Sequence, residues 1–297
     1  MKNKILVTGG LGFVGFNLIR ELVKNTDNDI TCIDNLDSHS ASLENIQKNV
    51  NYIIEDINNI HTGANKLKLQ KLKFDVIYHL AGYARIQPSF QNPVGYFQAN
   101  IMGTANVCEL ARNNKAKLIY AASSSTLGGT DKNPYTFSKY TGEEILKLYS
   151  KLYQVSCVSA RFFNVYGDRQ PKKGPFPTLI GIFEDQYLKN EPLTITGDGE
   201  QRRDFTNVWD ICRGLILLSK KTYAGEIYNL GTGENYSINE IAKMFSDQIK
   251  YIPKRSGEAK NTLADLTESK KIDYLPSVKI SDYIESFKWK NTKYKNE

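Results

Sequence analysis

The stretch Ile5-Leu6-Val7-Thr8-Gly9-Gly10-Leu11-Gly12-Phe13-Val14-Gly15 constrains this chain more than any other. An apolar run ends in a glycine cluster, and Phe16, Leu18, Ile19, Leu22 and Val23 then recur at a helical period. That order predicts a strand, a tight turn and a helix. Gly9 permits the turn, Gly12 lets a phosphate approach the backbone, and Gly15 lets the helix pack close on the strand. The free N–H groups and positive end of the new helix would then face a pyrophosphate. A second apolar strand, Ile30-Thr31-Cys32-Ile33, ends at Asp34. Asp34 lies about 20 residues past Gly15, where a dinucleotide fold places the carboxylate that accepts the adenosine ribose hydroxyls. A carboxylate there repels a 2′-phosphate, and Asn35, Leu36 and Asp37 add no basic residue, so the pattern favours NAD over NADP.

Strand and helix signals alternate beyond this unit. Asn51-Tyr52-Ile53-Ile54, Asp75 to Gly82, Lys117 to Ser123 and Val155 to Arg161 read as strands. Helical periods run from about Pro93 to Asn113 and from Tyr135 to Tyr153. Near-continuous apolar strands between helices predict a parallel sheet covered on both faces, with ligands at the carboxyl ends of the strands. After Gly167, prolines and glycines cluster. A helix from about Val208 to Lys220 and the strand Ile227-Tyr228-Asn229-Leu230 then return to the sheet, and a helix follows from about Ile238 to Gln248. The expectation is an α/β fold, a doubly wound parallel Rossmann sheet with a smaller C-terminal substrate-binding lobe. Residues 1–166 with about 206–230 would form the NAD-binding domain, and about 167–205 with 231–297 the second lobe.

Composition narrows the function class. No apolar run approaches the roughly 18 residues of a membrane span, and Met1-Lys2-Asn3-Lys4 leads straight into the first strand, leaving no room for a signal peptide. Cys32, Cys108, Cys157 and Cys212 lie far apart within apolar patterns and form no C-x-x-C, which suits reduced core residues of a cytoplasmic protein. His39, His61 and His79 lack metal-ligand spacing, and His79, ending a strand, reads as structural. The net charge of +7 could suggest nucleic acid, but the lysines are scattered and several fall in the tail Lys288 to Lys295, read as solvated surface.

Tyr135-Thr136-Phe137-Ser138-Lys139 places Tyr135 and Lys139 one helical turn apart on one face. A free phenol, with a pKa near 10, is no base at neutral pH. A neighbouring ammonium, together with the positive nicotinamide, would stabilise the phenolate. The spacing alone recurs by chance; its weight comes from Pro134 opening a helix soon after the strand that carries Ser123, Ser124 and Ser125. A serine hydroxyl there can bond the reacting oxygen and share its proton, although serines also cap plain turns.

With these residues in hand, the chain resembles the nucleotide-sugar epimerase/dehydratase branch of the extended short-chain dehydrogenases/reductases, closest to UDP-hexose 4-epimerases, over nearly its whole length. Thr8 to Gly15, His79-Leu80-Ala81-Gly82, Asn100 with Gly103-Thr104, the serine run, Tyr135/Lys139 and Arg161 to Gly167 match in order. So do Gly197 to Phe205, Asn229 to Gly233, and Arg255-Ser256-Gly257-Glu258 with Ala264-Asp265. The resemblance implies that Gly9, Gly12, Phe13, Val14, Gly15, Asp34, Asn35, Asp56, Ile57, Leu80, Ala81, Gly82, Asn100, Ser123, Tyr135, Lys139 and Phe163 border NAD. It implies Ser124, Tyr135 and Lys139 as the catalytic three. Asn164, Arg203 and Arg255 would grip the diphosphate of a nucleotide sugar, a UDP-sugar by preference, since guanidinium groups suit phosphate oxygens. Arg203 could instead pair with Asp204 or Asp210. No metal, nucleic acid or membrane is implied, and family members usually dimerise through the helices near 93–113 and 135–153.

The same resemblance selects a reaction. The 4,6-dehydratases carry an Asp-Glu pair after the catalytic hydroxyl and the decarboxylases a glutamate in the second place; here Ser125 and Thr126 stand there. That leaves 4-epimerisation through a 4-keto sugar, which needs no carboxylate. A C2 or C5 epimerase, a 4-keto reductase or a dehydratase stays open as an alternative, and a non-catalytic NAD-binding protein is weighed behind it. Seven positions past Arg255, epimerases restricted to small hexoses tend to carry tyrosine; Thr262 implies room for an N-acetyl group. The segment between Ser124 and Tyr135 is short by about a dozen residues, with Leu127-Gly128-Gly129 in place of Val-Tyr-Gly. Its loss would open the pocket or leave it to be closed by other parts.

Overall fold

A computed structural model describes residues 2–38, 41–62, 69 and 72–293. His39 and the end of the basic tail, Tyr294 and Lys295, lie outside the described residues. Strand β1 (Asn3–Thr8) leads into helix α1 (Phe13–Leu22), then β2 (Asn28–Asp34), β3 (Val50–Ile54) and β4 (Val76–His79). Two short helices, α2 (Ile86–Gln91) and α3 (Pro93–Phe97), run through a π-helical stretch, Gln98–Met102, into α4 (Gly103–Asn114). Strand β5 (Lys117–Ser123), helix α5 (Pro134–Tyr153) and strand β6 (Cys157–Phe162) follow. Seven parallel strands form one sheet in the order β3-β2-β1-β4-β5-β6-β9, where β9 is Ala224–Leu230.

Alternation along the strands builds the two covered faces. Ile5 and Val7 of β1 point into a core shared with α1 and with helix α7 (Val208–Leu218), while Leu6 points into the core beneath α4 and α5. The chain winds outward from β1 through β2 to β3, then restarts at β4 and winds the other way. That reversal leaves a crevice above the carboxyl ends of β1 and β4, the place where doubly wound sheets bind ligands. His79 is buried there, Nδ1 2.8 Å from the Thr8 hydroxyl and Nε2 3.0 Å from the Thr104 hydroxyl. Desolvation lowers its pKa from the usual 6.5 to about 3, so it stays neutral and joins β1, β4 and α4. The four cysteines are buried and unbridged.

A third apolar core, with Tyr166, Phe183, Ile238, Phe245 and Ile284 at its centre, lies in the C-terminal part. Its frame is helix α6 (Leu179–Leu188), strands β7 (Leu193–Thr196) and β8 (Arg202–Arg203), strand β10 (Tyr236–Ser237) and helix α8 (Ile238–Phe245). Strand β11 (Ile249–Ile252) pairs in parallel with β7, and β10 runs antiparallel to β8. Two helical expectations change. The helix expected from about Ile238 to Gln248 stops at Phe245, and Ile249 onward pairs as a strand. The described part of the basic tail continues a helix from Ile280 to Lys293 (α10, after the single turn α9, Thr267–Lys270), with Trp289 and Lys290 exposed. Lys288 donates to the Met244 carbonyl at 3.0 Å and lies over the Tyr187 ring, because its long stem can cover apolar surface while its charge finds an acceptor. The helix near 93–113 is a chain of three segments rather than one regular helix.

Candidate active site

One cleft of about 890 Å³ runs along the carboxyl ends of the sheet strands to the C-terminal lobe. At its floor, Gly9 takes a left-handed φ of +70°. A Cβ on Gly15 would lie 2.1 Å from the Gly9 carbonyl oxygen, so only glycine lets α1 start this close to the turn. Gly12 caps α1 without any side-chain bond, leaving the first helical N–H groups open to the cleft. Phe13, Val14, Leu80, Ala81 and Gly82 line the same groove. Asp34 is 7% exposed and accepts from the backbone N–H of Leu11 at 3.0 Å and of Leu36 at 2.9 Å. Burial raises its pKa. The Asn35 amide donates to Asp56 at 2.9 Å, and Asp56 also caps the turn that carries Ile57, closing the far end. A cradle that a Cβ would fill, an uncapped helix start and a carboxylate at the end of β2 fit a dinucleotide.

Two residues assigned to the cofactor stand elsewhere. Asn100 is buried behind the groove, where its amide clamps the Tyr83 backbone (N–H to Oδ1 2.8 Å, Nδ2 to O 3.0 Å) and donates to the Ser138 hydroxyl at 2.9 Å. It shapes the loop after β4 rather than lining the cleft. Phe163 is fully buried away from the cleft, and its neighbour Phe162 lines it instead. Adjacent residues at a strand end face opposite sides, so a one-residue offset exchanges wall for core.

The chemical centre sits where β5 meets α5. The Asn133 side chain accepts from the Thr136 N–H at 2.8 Å and Pro134 occupies the first helical position, which fixes the start of α5 and so the place of Tyr135. The Tyr135 hydroxyl donates to the Ser123 hydroxyl at 3.1 Å. The resemblance gave that part to Ser124. In the structure Ser124 is buried and lines the cleft, but it is Ser123 that meets the phenol. Ser123 in turn donates to Ser125 at 3.0 Å. One turn on, the Lys139 ammonium donates to the Ala121 carbonyl at 2.8 Å and lies 5.0 Å over the Tyr120 ring. Burial lowers its pKa from 10.5 to about 8, opposed by the Glu143 carboxylate. Glu143 is fully buried and bound by Arg161 through two bonds of 2.7 Å.

The phenol itself is not yet acidic. Burial raises the Tyr135 pKa, while the Ser123 bond and the Arg85 guanidinium pull it down. Arg85 is one cation that acts on the phenol, while Lys139, one helical turn along, donates to the β5 carbonyl of Ala121. Arg85 carries no motif. Its only sequence signal is its position just after the strand end at His79, inside a stretch otherwise matched to the family.

Further lining comes from the C-terminal part of the chain. Arg203 is 12% exposed; it pairs loosely with Glu258 at 3.8 Å rather than with Asp204 or Asp210. Those two carboxylates are consumed elsewhere: Asp204 accepts from the N–H groups of Thr232, Gly233 and Ala264, and Asp210 from those of Ser277 and Val278. Arg255 is exposed at the cleft. Asn164, with a left-handed φ of +30°, donates to the Asp204 carbonyl at 3.0 Å and borders the cleft. Thr262 is 6% exposed, lines the cleft and has a buried hydroxyl without a partner. The gap left by the short segment after Ser124 is filled by residues 256–259. A Cβ on Gly128 would lie 3.1 Å from the Ala259 Cβ, Gln87 donates to the Ser256 carbonyl at 2.8 Å, and Asn133 donates to the Gly257 carbonyl at 3.3 Å. The segment that carries Arg255 and Glu258 thereby becomes part of the cleft lining.

Known proteins match both the sequence and the fold. The model of the NAD dependent epimerase/dehydratase family matches residues 5–231. A putative UDP-glucose 4-epimerase of Methanocaldococcus jannaschii is 32% identical over 94% of this chain and 95% of its own. The crystal structure of UDP-N-acetylglucosamine 4-epimerase from Methanobrevibacter ruminantium, in complex with UDP-N-acetylmuramic acid, superposes with a TM-score of 0.86 at 31% identity, covering 99% of this chain and 100% of that one. UDP-glucuronic acid 4-epimerase from Bacillus cereus, solved with UDP-glucuronic acid and NAD, gives 0.86 at 30% identity, covering 98% and 99%. With the glycine cradle, the Tyr135/Lys139 helix and a match across most of its length, the chain belongs to the NAD-dependent epimerase/dehydratase family.

Proposed function

We propose that the protein inverts C4 of a nucleotide-diphosphate hexose, a UDP-hexose or UDP-N-acetylhexosamine, through a 4-keto sugar. The observation that carries this reading is the Tyr135 phenol, bonded to a serine in the cleft and acted on by the Arg85 guanidinium, with Lys139 one helical turn away and Ser125 and Thr126 where elimination would need carboxylates. The relatives named above as 4-epimerases of UDP-sugars support it. Bound NAD supplies a reversible acceptor for the hydrogen carried at C4. The chain's own residues do the rest. Tyr135, as phenolate, accepts the C4 hydroxyl proton and later returns it. Ser123 and Ser124 offer hydroxyls to the reacting oxygen. Lys139 keeps a positive charge beneath the site. Arg203, Arg255 and Asn164 anchor the diphosphate from the lobe formed by about 167–205 and 231–297, so that the sugar can turn about its link while its tail stays fixed.

A second copy is part of the reading. Val94, Met102, Phe137, Leu148 and Leu152 are 44–63% exposed along α3 to α5, and large apolar side chains exposed on neighbouring helices suit an interface. Sedimentation should give twice the mass of the 33.7 kDa chain, and Leu148→Asp with Leu152→Asp should halve it; a monomeric wild type contradicts the reading.

The direct test of the reaction is incubation with UDP-, dTDP-, GDP- and CDP-sugars without added cofactor, followed by NMR. A ring proton inverted at C4 is expected, and Tyr135→Phe should cut turnover by about 10²- to 10⁴-fold while the cofactor stays bound. Inversion at C2 or C5, or full turnover by Tyr135→Phe, overturns it. Because the phenolate is the working form, kcat/KM rises with pH through the Tyr135 pKa. Ser123→Ala removes a bond that holds that pKa down, so the rise should move to higher pH; Ser124→Ala should leave it in place. A shift in Ser124→Ala alone reverses the two assignments. Thr262→Tyr should fill the space for an N-acetyl group and lose acetylated substrates selectively, whereas equal loss on both substrate types removes Thr262 from specificity.

A further inference from the structure

Arg85 stands at the start of α2 with a φ of +80°, a backbone conformation that is costly for any residue with a Cβ. The backbone is held there: the Tyr96 hydroxyl donates to the carbonyls of Ala84 at 2.6 Å and Arg85 at 3.0 Å. The Arg85 side chain lines the cleft beside Tyr135, and its Nε is shut off from solvent with no hydrogen-bond partner among the described residues. The groups that act on its charge are the phenols of Tyr135 and Tyr96; no carboxylate among the described residues pairs with it. A half-buried guanidinium whose Nε is shut off from water, with no counter-ion among the described residues, is costly to hold, and the cost is offset when a ligand brings the missing anion.

The diphosphate is not that anion. Its candidate partners are Arg203, on β8, and Arg255, after β11. Arg85 follows β4, and its carbonyl accepts from the Tyr96 hydroxyl, whose ring lies 6.2 Å from that of Tyr135, the phenol that must reach the hexose C4 hydroxyl. An anionic group meeting both therefore sits on the sugar. We infer that Arg85 is the counter-charge for a carboxylate carried on the hexose, so that the protein prefers acidic nucleotide sugars to neutral ones. This rests on the epimerase reading above and narrows its substrate. A planar guanidinium can hold a carboxylate through two parallel bonds, which fixes the ring as well as binding it.

The test compares UDP-glucuronate, with its carboxylate on C6, and UDP-N-acetylmuramate, with its carboxylate on the lactyl ether at C3, against UDP-glucose and UDP-N-acetylglucosamine. The wild type should show kcat/KM at least about tenfold higher for one acidic sugar than for its neutral counterpart, and the favoured sugar identifies which carboxylate is read. Arg85→Gln should cut that acidic-to-neutral ratio by about 10- to 100-fold, and Arg85→Lys should restore part of it. Equal losses on acidic and neutral sugars, or a neutral preference in the wild type, overturn the inference. If no sugar of the panel is turned over, calorimetric titration of the wild-type holoprotein with the same four compounds still decides. Tighter acidic binding upholds Arg85 while the epimerase reading falls, and no preference removes both.

Discussion

The buried pair of Glu143 and Arg161 decides what the working helix can do. Glu143 is fully buried on α5, and Arg161 reaches it from β6 with two bonds of 2.7 Å. One turn above, Glu143 is the charge that opposes the desolvation of Lys139. One turn above that lies Tyr135. Tyr135, Lys139 and Glu143 thus descend a single face of α5, each four residues from the next, against β5 and β6. Remove either partner of the lowest pair and an uncompensated charge is left inside the sheet. The reactive end is therefore held by an ion pair two turns away that never touches substrate.

Burial works both for and against the chemistry. It strengthens each bond at the site, because the local dielectric is low. It also raises the Tyr135 pKa and lowers that of Lys139, which disfavours the ionised forms that proton transfer uses. The Ser123 bond and the Arg85 charge act in the other direction on the phenol. A site with this balance is poised to respond to whatever positive charge a bound dinucleotide brings to the phenol.

Much of this was legible beforehand because it depends on local pattern. The strands of the large sheet are buried on both faces, so they show as unbroken apolar runs, and the glycine turn is fixed by space that only glycine leaves free. What escaped depends on distant partners. The strands Leu193–Thr196 and Ile249–Ile252 are four residues each and gain meaning only by pairing with one another. Three consecutive serines cannot reveal which one faces the phenol; the bend at the end of β5 chooses Ser123. Asn100 has the polarity of a ligand contact but is spent on the Tyr83 backbone, and Phe162 and Phe163 divide wall and core by strand alternation. Arg85 carries no sequence signal because what sets it apart, the lack of a carboxylate partner among the described residues, is a matter of distant neighbours.

The central claim is that Tyr135 moves a proton while the hydrogen on the same carbon is lent and returned within one closed site. A UDP-hexose deuterated at C4 tests it most directly. The account predicts that the inverted product keeps its deuterium at C4, with none washed into solvent over many turnovers. Progressive loss of the label to water would mean that C4 is exchanged by proton abstraction rather than by internal return, and the account would fail.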